Sequence, residues 1–211
     1  MRSSAPTRTA VLMGLWLLAF GPAAGPVRAQ EWPDTRPEAS GFEETSRYAD
    51  VVDFLLAIDG RSDLLHFTYF GYSEEGRRLP LVVFGRVDGA TPEAVRSSGL
   101  TRILVFANIH AGEVAGKEAA QVLVRDMAKG LHDRWADSLV VLVAPVYNAD
   151  GNERISLRNR RRQHGPMAGM GQRANARGLD LNRDNLKLET AEARALTRVY
   201  RDFDPHVALD L

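Results

Sequence analysis

A histidine and a glutamate that stand three residues apart, His110 and Glu113, are the pair in this chain best suited to metal chemistry. Imidazole nitrogen and carboxylate oxygen are both good ligands of Zn²⁺, and Gly112 lets the backbone turn tightly between them. The pair follows Ile103–Phe106, an apolar run that predicts a buried strand. Because open α/β sheets bind ligands at the carboxyl ends of their strands, the sequence predicts a metal site at this turn.

The pair alone is also compatible with an ordinary helix start, in which Glu113 faces the positive end of the helix dipole. With five His and twelve Glu in the chain, a chance His-x-x-Glu is expected in roughly a third of such sequences. Three later segments bear on the choice. Taken singly they are a turn, a basic patch and a loop, namely Asn148-Ala149-Asp150-Gly151, Asn159–Gln163 and Gly178–Arg183.

Together, in this order, the four motifs resemble those of the zinc carboxypeptidase family of the pancreatic type. Glu75-Gly76-Arg77 matches a turn that these proteins carry upstream, and the resemblance covers about Gly71 to Leu211. The family implies an α/β fold, one bound zinc ion, and hydrolysis of the C-terminal peptide bond of peptides that end in a free carboxylate.

The resemblance also implies roles for individual residues. His110 and Glu113 match the first two zinc ligands, and Asp180 matches the carboxylate that orients the ligand histidine and raises its basicity. Asn182 and Arg183 match the pair that holds the terminal carboxylate of the substrate. A guanidinium fork suits that task because it binds a carboxylate through two parallel hydrogen bonds and stays charged.

Two positions depart from the family pattern. Counted from the Asn-x-Asp-Gly turn, the arginine that polarises the scissile carbonyl falls at Gln163, whose amide donates a hydrogen bond but brings no charge. Either Gln163 takes this role more weakly, or Arg161 or Arg162 replaces it. The family often has an arginine between the two ligands of the first motif, where this chain has Gly112.

Helical and strand-like periods alternate along the chain, which indicates an α/β fold with a mixed, largely parallel central sheet sandwiched between helices. Residues 147–187 lack a period, and so long an irregular stretch is usually functional or disordered. The pattern predicts helices over Glu43–Ile58, Glu113–Lys129 and 188–203, and strands over Leu64–Tyr72, Leu79–Arg86, Ile103–Phe106, Leu139–Val146 and His206–Leu211, the first two strands forming a hairpin.

The composition places the chain among globular proteins without a strong charge bias. It has 211 residues, with 27 basic against 27 acidic side chains, which argues against bulk attraction to nucleic acid or an anionic membrane. Residues 1–29 have the charged start, short apolar run and small residues of a cleaved signal peptide, so we expect a secreted or periplasmic protein. There is no Cys and hence no disulfide. Residues 30–42 read as a linker or N-terminal arm, and 43–211 as the catalytic domain.

The resemblance predicts two further residues that do not occur within the 211 positions. The third zinc ligand is expected as a His directly after Asp210-Leu211, and the general-base Glu much further on. Zinc sites normally have three or four protein ligands, so we expect residues 43–211 to be an incomplete domain that binds zinc poorly and has no activity alone.

Two alternative functions stay open on the sequence. The first is a zinc amidohydrolase that acts on N-acyl amino acids or cell-wall peptides with the same scaffold. The second is a degenerate binding module that holds an anionic polymer through its arginine-rich loop, with an affinity that falls steeply with salt.

Overall fold

The computed structural model describes residues 31–211, and the predicted signal peptide lies outside them. The sheet consists of β1 (Leu65–Tyr72), β2 (Arg78–Phe84), β3 (Thr101–Phe106), β4 (Leu139–Ala144) and β5 (Val207–Asp210). Their order is β1-β2-β4-β3-β5. β2 is antiparallel to both of its neighbours, whereas β3 is parallel to β4 and β5. Four of the five strands therefore run in one direction, which confirms the mixed, largely parallel sheet and the hairpin.

The helices cover both faces of this sheet. They are α1 (Arg36–Ala39), α2 (Tyr48–Ile58), α3 (Pro92–Ser97), α4 (Val114–Ala128), α5 (Ala149–Glu153) and α6 (Ala191–Phe203). α2 and α4 pack with one apolar cluster, and α3 with most of the apolar face of α6 packs with the other. None of the helices within residues 31–211 has the length and apolar character needed to cross a membrane.

The central strands are apolar on both faces because each face is covered by helices. Successive side chains of a strand point to opposite faces, so neighbours in sequence enter different clusters. One cluster contains Val82, Phe84, Val141 and Val143, and the other contains Leu81, Val83, Val140 and Leu142. The unbroken apolar runs of the sequence are thus the signature of a covered sheet.

The N-terminal arm is docked rather than extended, because it forms α1 and an ion pair with α4. Thr35 caps α1 in a reciprocal capping box with Glu38. Two oxygens of Glu38 accept from Arg125, each at 2.6 Å. These hydrogen bonds lower the pKa of Glu38 to about 2, against the opposing effect of its partial burial. Four residues are too short to show a helical period, so the sequence did not predict this helix.

A buried polar cluster holds the segment before α2. The Nζ of Lys117, which is fully buried, donates to Thr45 Oγ1 at 3.0 Å, to Asn152 Oδ1 at 2.8 Å and to the carbonyl of Ser46. Glu118 accepts from both hydroxyls, at 2.7 Å from Thr45 and 2.6 Å from Ser46. Burial lowers the pKa of Lys117, and Glu118 opposes this. These contacts keep Thr45-Ser46 out of a helix, so α2 begins later than the predicted Glu43.

Candidate functional site

His110 lies in the loop that joins the end of β3 to α4, and its side chain is buried between two carboxylates. Its Nε2 is 3.0 Å from Asp180 Oδ1, and its Nδ1 is 3.3 Å from Glu113 Oε2. Both neighbours are carboxylates, which only accept hydrogen bonds, but Asp180 is the nearer one and the Nη1 donor of Arg173 lies 3.4 Å from Nδ1, so the tautomer with the proton on Nε2 is favoured. The lone pair of Nδ1 then points toward Glu113.

This arrangement suits two ligands of a zinc ion. A neutral imidazole nitrogen and a carboxylate oxygen face each other, while the other ring nitrogen is held by a carboxylate, as is usual for metal-bound histidines. Within residues 31–211 no group of three or more His, Cys, Asp or Glu side chains is placed to hold a metal ion. The described part of the chain thus brings together two candidate ligands, whereas zinc sites normally have three or four.

Glu113 also accepts a hydrogen bond from Arg160, whose Nη2 lies 2.5 Å from its Oε1. Partial burial acts to raise the pKa of Glu113, but Arg160 and His110 outweigh it and the pKa is lowered. Arg160 also explains one departure from the family pattern. A Cβ atom at Gly112 would lie 2.9 Å from Arg160 Cγ and 2.9 Å from the carbonyl of Gly171, which leaves no room for a side chain there.

Arg173 also contacts His110, although none of the sequence motifs includes it. Its Nη1 lies 3.4 Å from His110 Nδ1, and its Nε donates to Asp180 Oδ2 at 2.9 Å. Burial acts to raise the pKa of Asp180, but the hydrogen bonds from His110 and Arg173 outweigh it and the pKa is lowered. The sequence feature that could have indicated this role is that Arg173 stands seven residues before Asp180 in the same loop.

Gln163, Arg161 and Arg162, the three residues considered for the carbonyl-polarising role, are all exposed. The backbone N–H of Gln163 donates to the carbonyl of Arg160 at 2.9 Å. The structure therefore does not bring Gln163 to His110. Counting from the Asn-x-Asp-Gly turn assumes a fixed loop length, whereas in this chain the backbone comes back to His110 only at Arg173.

Asn182 and Arg183, the predicted carboxylate anchor, differ in their surroundings. Asn182 lines a cavity of about 370 Å³, together with Ile109, Tyr147 and Asp210 among others. Arg183 is exposed, and its Nη1 donates to the carbonyl of Asn182 at 2.9 Å. Burial and the nearby charge of Glu113 raise the pKa of Asp210. Asn182 and Arg183 are adjacent, but the guanidinium of Arg183 is exposed to solvent and not buried in the cavity.

The Asn-x-Asp-Gly turn holds the loops of the site together through Asn148, which is completely buried. Its Oδ1 accepts from the backbone N–H of Gly151 at 3.0 Å. Its Nδ2 donates to the carbonyl of Ile109 at 3.3 Å and to that of Arg173 at 3.1 Å. One amide group thus fixes the residue before His110 relative to the segment that carries Arg173.

Asp150, from the same turn, links it to the upstream Glu-Gly-Arg turn. Its Oδ1 accepts from Ser73 Oγ at 2.6 Å and from Arg77 Nη1 at 2.7 Å, and its Oδ2 accepts from the backbone N–H of Glu75 at 2.9 Å. Asp150 itself is fully buried. The Asn-x-Asp-Gly turn and the Glu-Gly-Arg turn, which are separate motifs in the sequence, are therefore in direct contact in the structure.

Glycines allow the backbones of these loops to touch. A Cβ atom at Gly151 would lie 2.7 Å from the carbonyl of Ala174, and one at Gly171 would lie 2.7 Å from the carbonyl of Ala111. The backbone N–H of Gln172 donates to the carbonyl of Gly151 at 3.0 Å. Any side chain at Gly151 or Gly171 must push these backbones apart, and with them His110 and Arg173.

We expect Asn148→Asp to destabilise the domain by about 3 kcal/mol or more, because it sets a buried carboxylate against the two carbonyl oxygens of Ile109 and Arg173. Asn152→Asp is the matched control. Asn152 is equally buried, but the Nζ of Lys117 lies 2.8 Å from its Oδ1 and supplies a counter-charge. Its Nδ2 donates to the carbonyl of Ser46 and to Glu153 Oε1, so the change also faces two oxygens. Because Lys117 offsets the new charge, we expect a smaller cost than at Asn148, about 1–2 kcal/mol.

Urea denaturation of the two variants and the unchanged protein gives both free energies of unfolding. Equal losses would show that the charge environment of Asn148 does not differ from that of Asn152, and would contradict the proposed hydrogen-bond assignment of its amide.

Comparison with known families identifies a match to the model of the zinc carboxypeptidases over residues 51–207. Among curated proteins, carboxypeptidase 2 of Trichophyton rubrum is 30% identical over 182 residues, covering 84% of this chain and 30% of that protein. Probable carboxypeptidase 2 of Arthroderma benhamiae is 29% identical over 143 residues, covering 66% of this chain and 23% of that protein. This chain therefore spans about a third or less of the length of these relatives.

Solved structures show the same fold. A metallo-carboxypeptidase from Burkholderia cenocepacia matches with a TM-score of 0.60 at 19% identity, covering 79% of this chain and 40% of that one. A metallo-carboxypeptidase from Pseudomonas aeruginosa, in complex with (2-guanidinoethylmercapto)succinic acid, matches with a TM-score of 0.52 at 20% identity, covering 77% of this chain and 38% of that one.

Proposed function

The chain belongs to the zinc carboxypeptidase family, and from this premise we propose that the complete protein is a zinc-dependent exopeptidase that removes C-terminal residues from peptides. The observation that carries the proposal is the contact of His110 with Glu113 through Nδ1 and with Asp180 through Nε2. These are two of the three or four donors that a zinc site normally has, together with the carboxylate that supports a ligand histidine.

In this proposal His110 and Glu113 are ligands of one zinc ion, and Asp180 holds the imidazole in the binding tautomer. A zinc ion bound here supplies Lewis-acid chemistry, which polarises a carbonyl and lowers the pKa of water. A third ligand and a general base come from outside residues 31–211. In this proposal Glu113 binds the zinc ion and is not the general base.

Arg173 takes the role that spacing had given to Gln163. Its guanidinium lies 3.4 Å from His110 Nδ1, and a carbonyl polarised by a zinc ion on His110 would be near it. Its charge stabilises the oxygen as negative charge develops in the transition state, which an amide does less well. The ion pair with Asp180 orients the guanidinium. Nε donates to Asp180 Oδ2, and because the guanidinium is planar this fixes the plane in which the two Nη atoms lie.

In this proposal Asn182, which lines the 370 Å³ cavity, and the exposed Arg183 next to it in the chain bind the terminal carboxylate of the substrate. We expect amidation of the substrate's C-terminus to lower kcat/KM by about 10-fold or more in the complete enzyme. The exposure of Arg183 limits the effect, because water screens the lost ion pair.

The experiment is a double cycle of wild type and Arg183→Ala against the free acid and the amide of one peptide. Arg183→Ala should lower kcat/KM on the acid by a similar factor and change it little on the amide, because both changes remove the same interaction. Equal cleavage of acid and amide by the wild type would rule out a carboxylate anchor and favour an endopeptidase. N-acyl amino acids and muropeptides in the same assay separate the amidohydrolase alternative.

A further inference from the structure

A loop with an arginine-rich turn projects beside the candidate zinc site. The loop closes at its base, where Ser156 pairs with Met170. Its far side is held by the backbone N–H of Met167, which donates to the carbonyl of Glu43, just after the N-terminal arm, at 2.8 Å. We call residues 158–164 the basic turn. Its Arg160 donates to Glu113, so the turn lies directly against the candidate metal ligand.

Charge is unevenly distributed along the chain, and the basic turn lies within its most positively charged segment. Residues 154–187 contain nine Lys and Arg against two Asp, although the whole chain has zero net charge. Within residues 31–211, Arg158, Arg161 and Arg162 are exposed and have no carboxylate within 4 Å. The other arginines near the site differ, since Arg160 pairs with Glu113 and Arg173 is paired as well.

The basic turn and the Asn182 cavity contact the two ends of one loop. The cavity reaches it at Ile109, and the basic turn reaches it at Gly112 and Glu113. His110 lies between these ends. A peptide whose last residue occupies the cavity and whose scissile bond lies at His110 therefore extends its preceding residues toward the basic turn.

Resting on the proposed function, we propose that the basic turn recognises acidic side chains on the N-terminal side of the scissile bond, so that the enzyme prefers acidic peptides. Guanidinium groups bind carboxylates through paired hydrogen bonds. Each exposed pair contributes little, but a concentration of unpaired positive charge beside a binding site attracts anionic ligands and raises their association rate. The preference should therefore appear in KM and in its dependence on salt.

The test uses matched peptides that share one C-terminal residue and carry Glu, Gln or Lys at the two preceding positions. At low ionic strength we expect the complete enzyme to show about 10-fold higher kcat/KM for the Glu peptide than for the Lys peptide, falling toward equality in 0.5 M salt. The double variant Arg161→Gln, Arg162→Gln should lose most of this difference and keep its activity on the Gln peptide.

Arg134→Gln is the matched control, because Arg134 is also exposed but lies in the short helix before β4, at the opposite end of that strand from the site. It should keep the full preference. A wild type that cleaves the Glu and Lys peptides equally at low salt overturns the inference, as does a double variant that retains the preference.

A binding measurement separates this inference from the proposed function. Fluorescence anisotropy of labelled Glu and Lys peptides, measured with the wild type and the double variant in the presence of a chelator, needs no catalysis. Tighter binding of the Glu peptide that depends on Arg161 and Arg162, combined with no cleavage of any peptide in the separate kinetic assay with zinc and without chelator, would support the recognition surface and refute the peptidase. Equal binding of both peptides with normal cleavage would do the reverse.

Discussion

Replacement of His110 or Glu113 by alanine in the complete protein is expected to abolish zinc binding and, with it, activity. Each change leaves the site one ligand short, and sites with two protein ligands rarely retain zinc. Asp180→Asn should behave differently, because Asp180 contacts only the far nitrogen of the imidazole. We expect it to weaken zinc binding by about 10–100-fold, the range typical of such outer partners.

Zinc content after dialysis, measured by mass spectrometry, together with competition against a chelator gives all three values. His132→Ala is a suitable control, since His132 stacks on Trp135 before β4, away from the site, and its loss should leave zinc bound. Full zinc occupancy in both the His110 and Glu113 variants would place the metal elsewhere. Equal losses for Asp180→Asn and the two alanine variants would make Asp180 a ligand.

Arg173→Gln is expected to lower kcat by about 10²–10³-fold, the loss that follows removal of one donor to a developing oxyanion. Zinc should stay bound, because an arginine that donates to Asp180 is no ligand. Gln163→Ala, in contrast, should change kcat by less than about 2-fold, since Gln163 is exposed and its contribution is that of an ordinary surface residue.

Steady-state kinetics of these two variants, with zinc content measured on the same samples, decides between the two residues. A large loss in Gln163→Ala with little change in Arg173→Gln would restore the assignment made from spacing. Arg173→Lys should recover only part of kcat, because lysine lacks the fork that holds the side chain on Asp180.

The fold was predictable because its signals are local. The apolar runs of β3 and β4, the helical stripe of α6 and the polar turn of the hairpin each have a period that a short window contains. The His-x-x-Glu pair was predictable for the same reason, since three residues of spacing place both side chains on one turn. The comparisons then confirmed the family that four ordered motifs had indicated.

The parts that were missed depend on contacts between distant segments. The late start of α2 follows from hydrogen bonds between Thr45-Ser46 and Lys117, 72 residues away from Thr45. The proximity of Arg173 to His110 spans 63 residues and depends on the length of the intervening loop. The exposure of Arg183 is likewise invisible in a motif, which specifies a residue type but not its solvent contact.

The three closely packed glycines and the basic turn divide this site into parts that can evolve at different rates. Around Gly112, Gly151 and Gly171 an added methyl group meets backbone or side-chain atoms within 3 Å, so a substitution there must be compensated in a second loop. Arg161 and Arg162 carry no such constraint. Substitutions in the basic turn can therefore change which peptides are preferred without disturbing the residues around His110. A mutant library designed to alter peptide preference should vary Arg161 and Arg162.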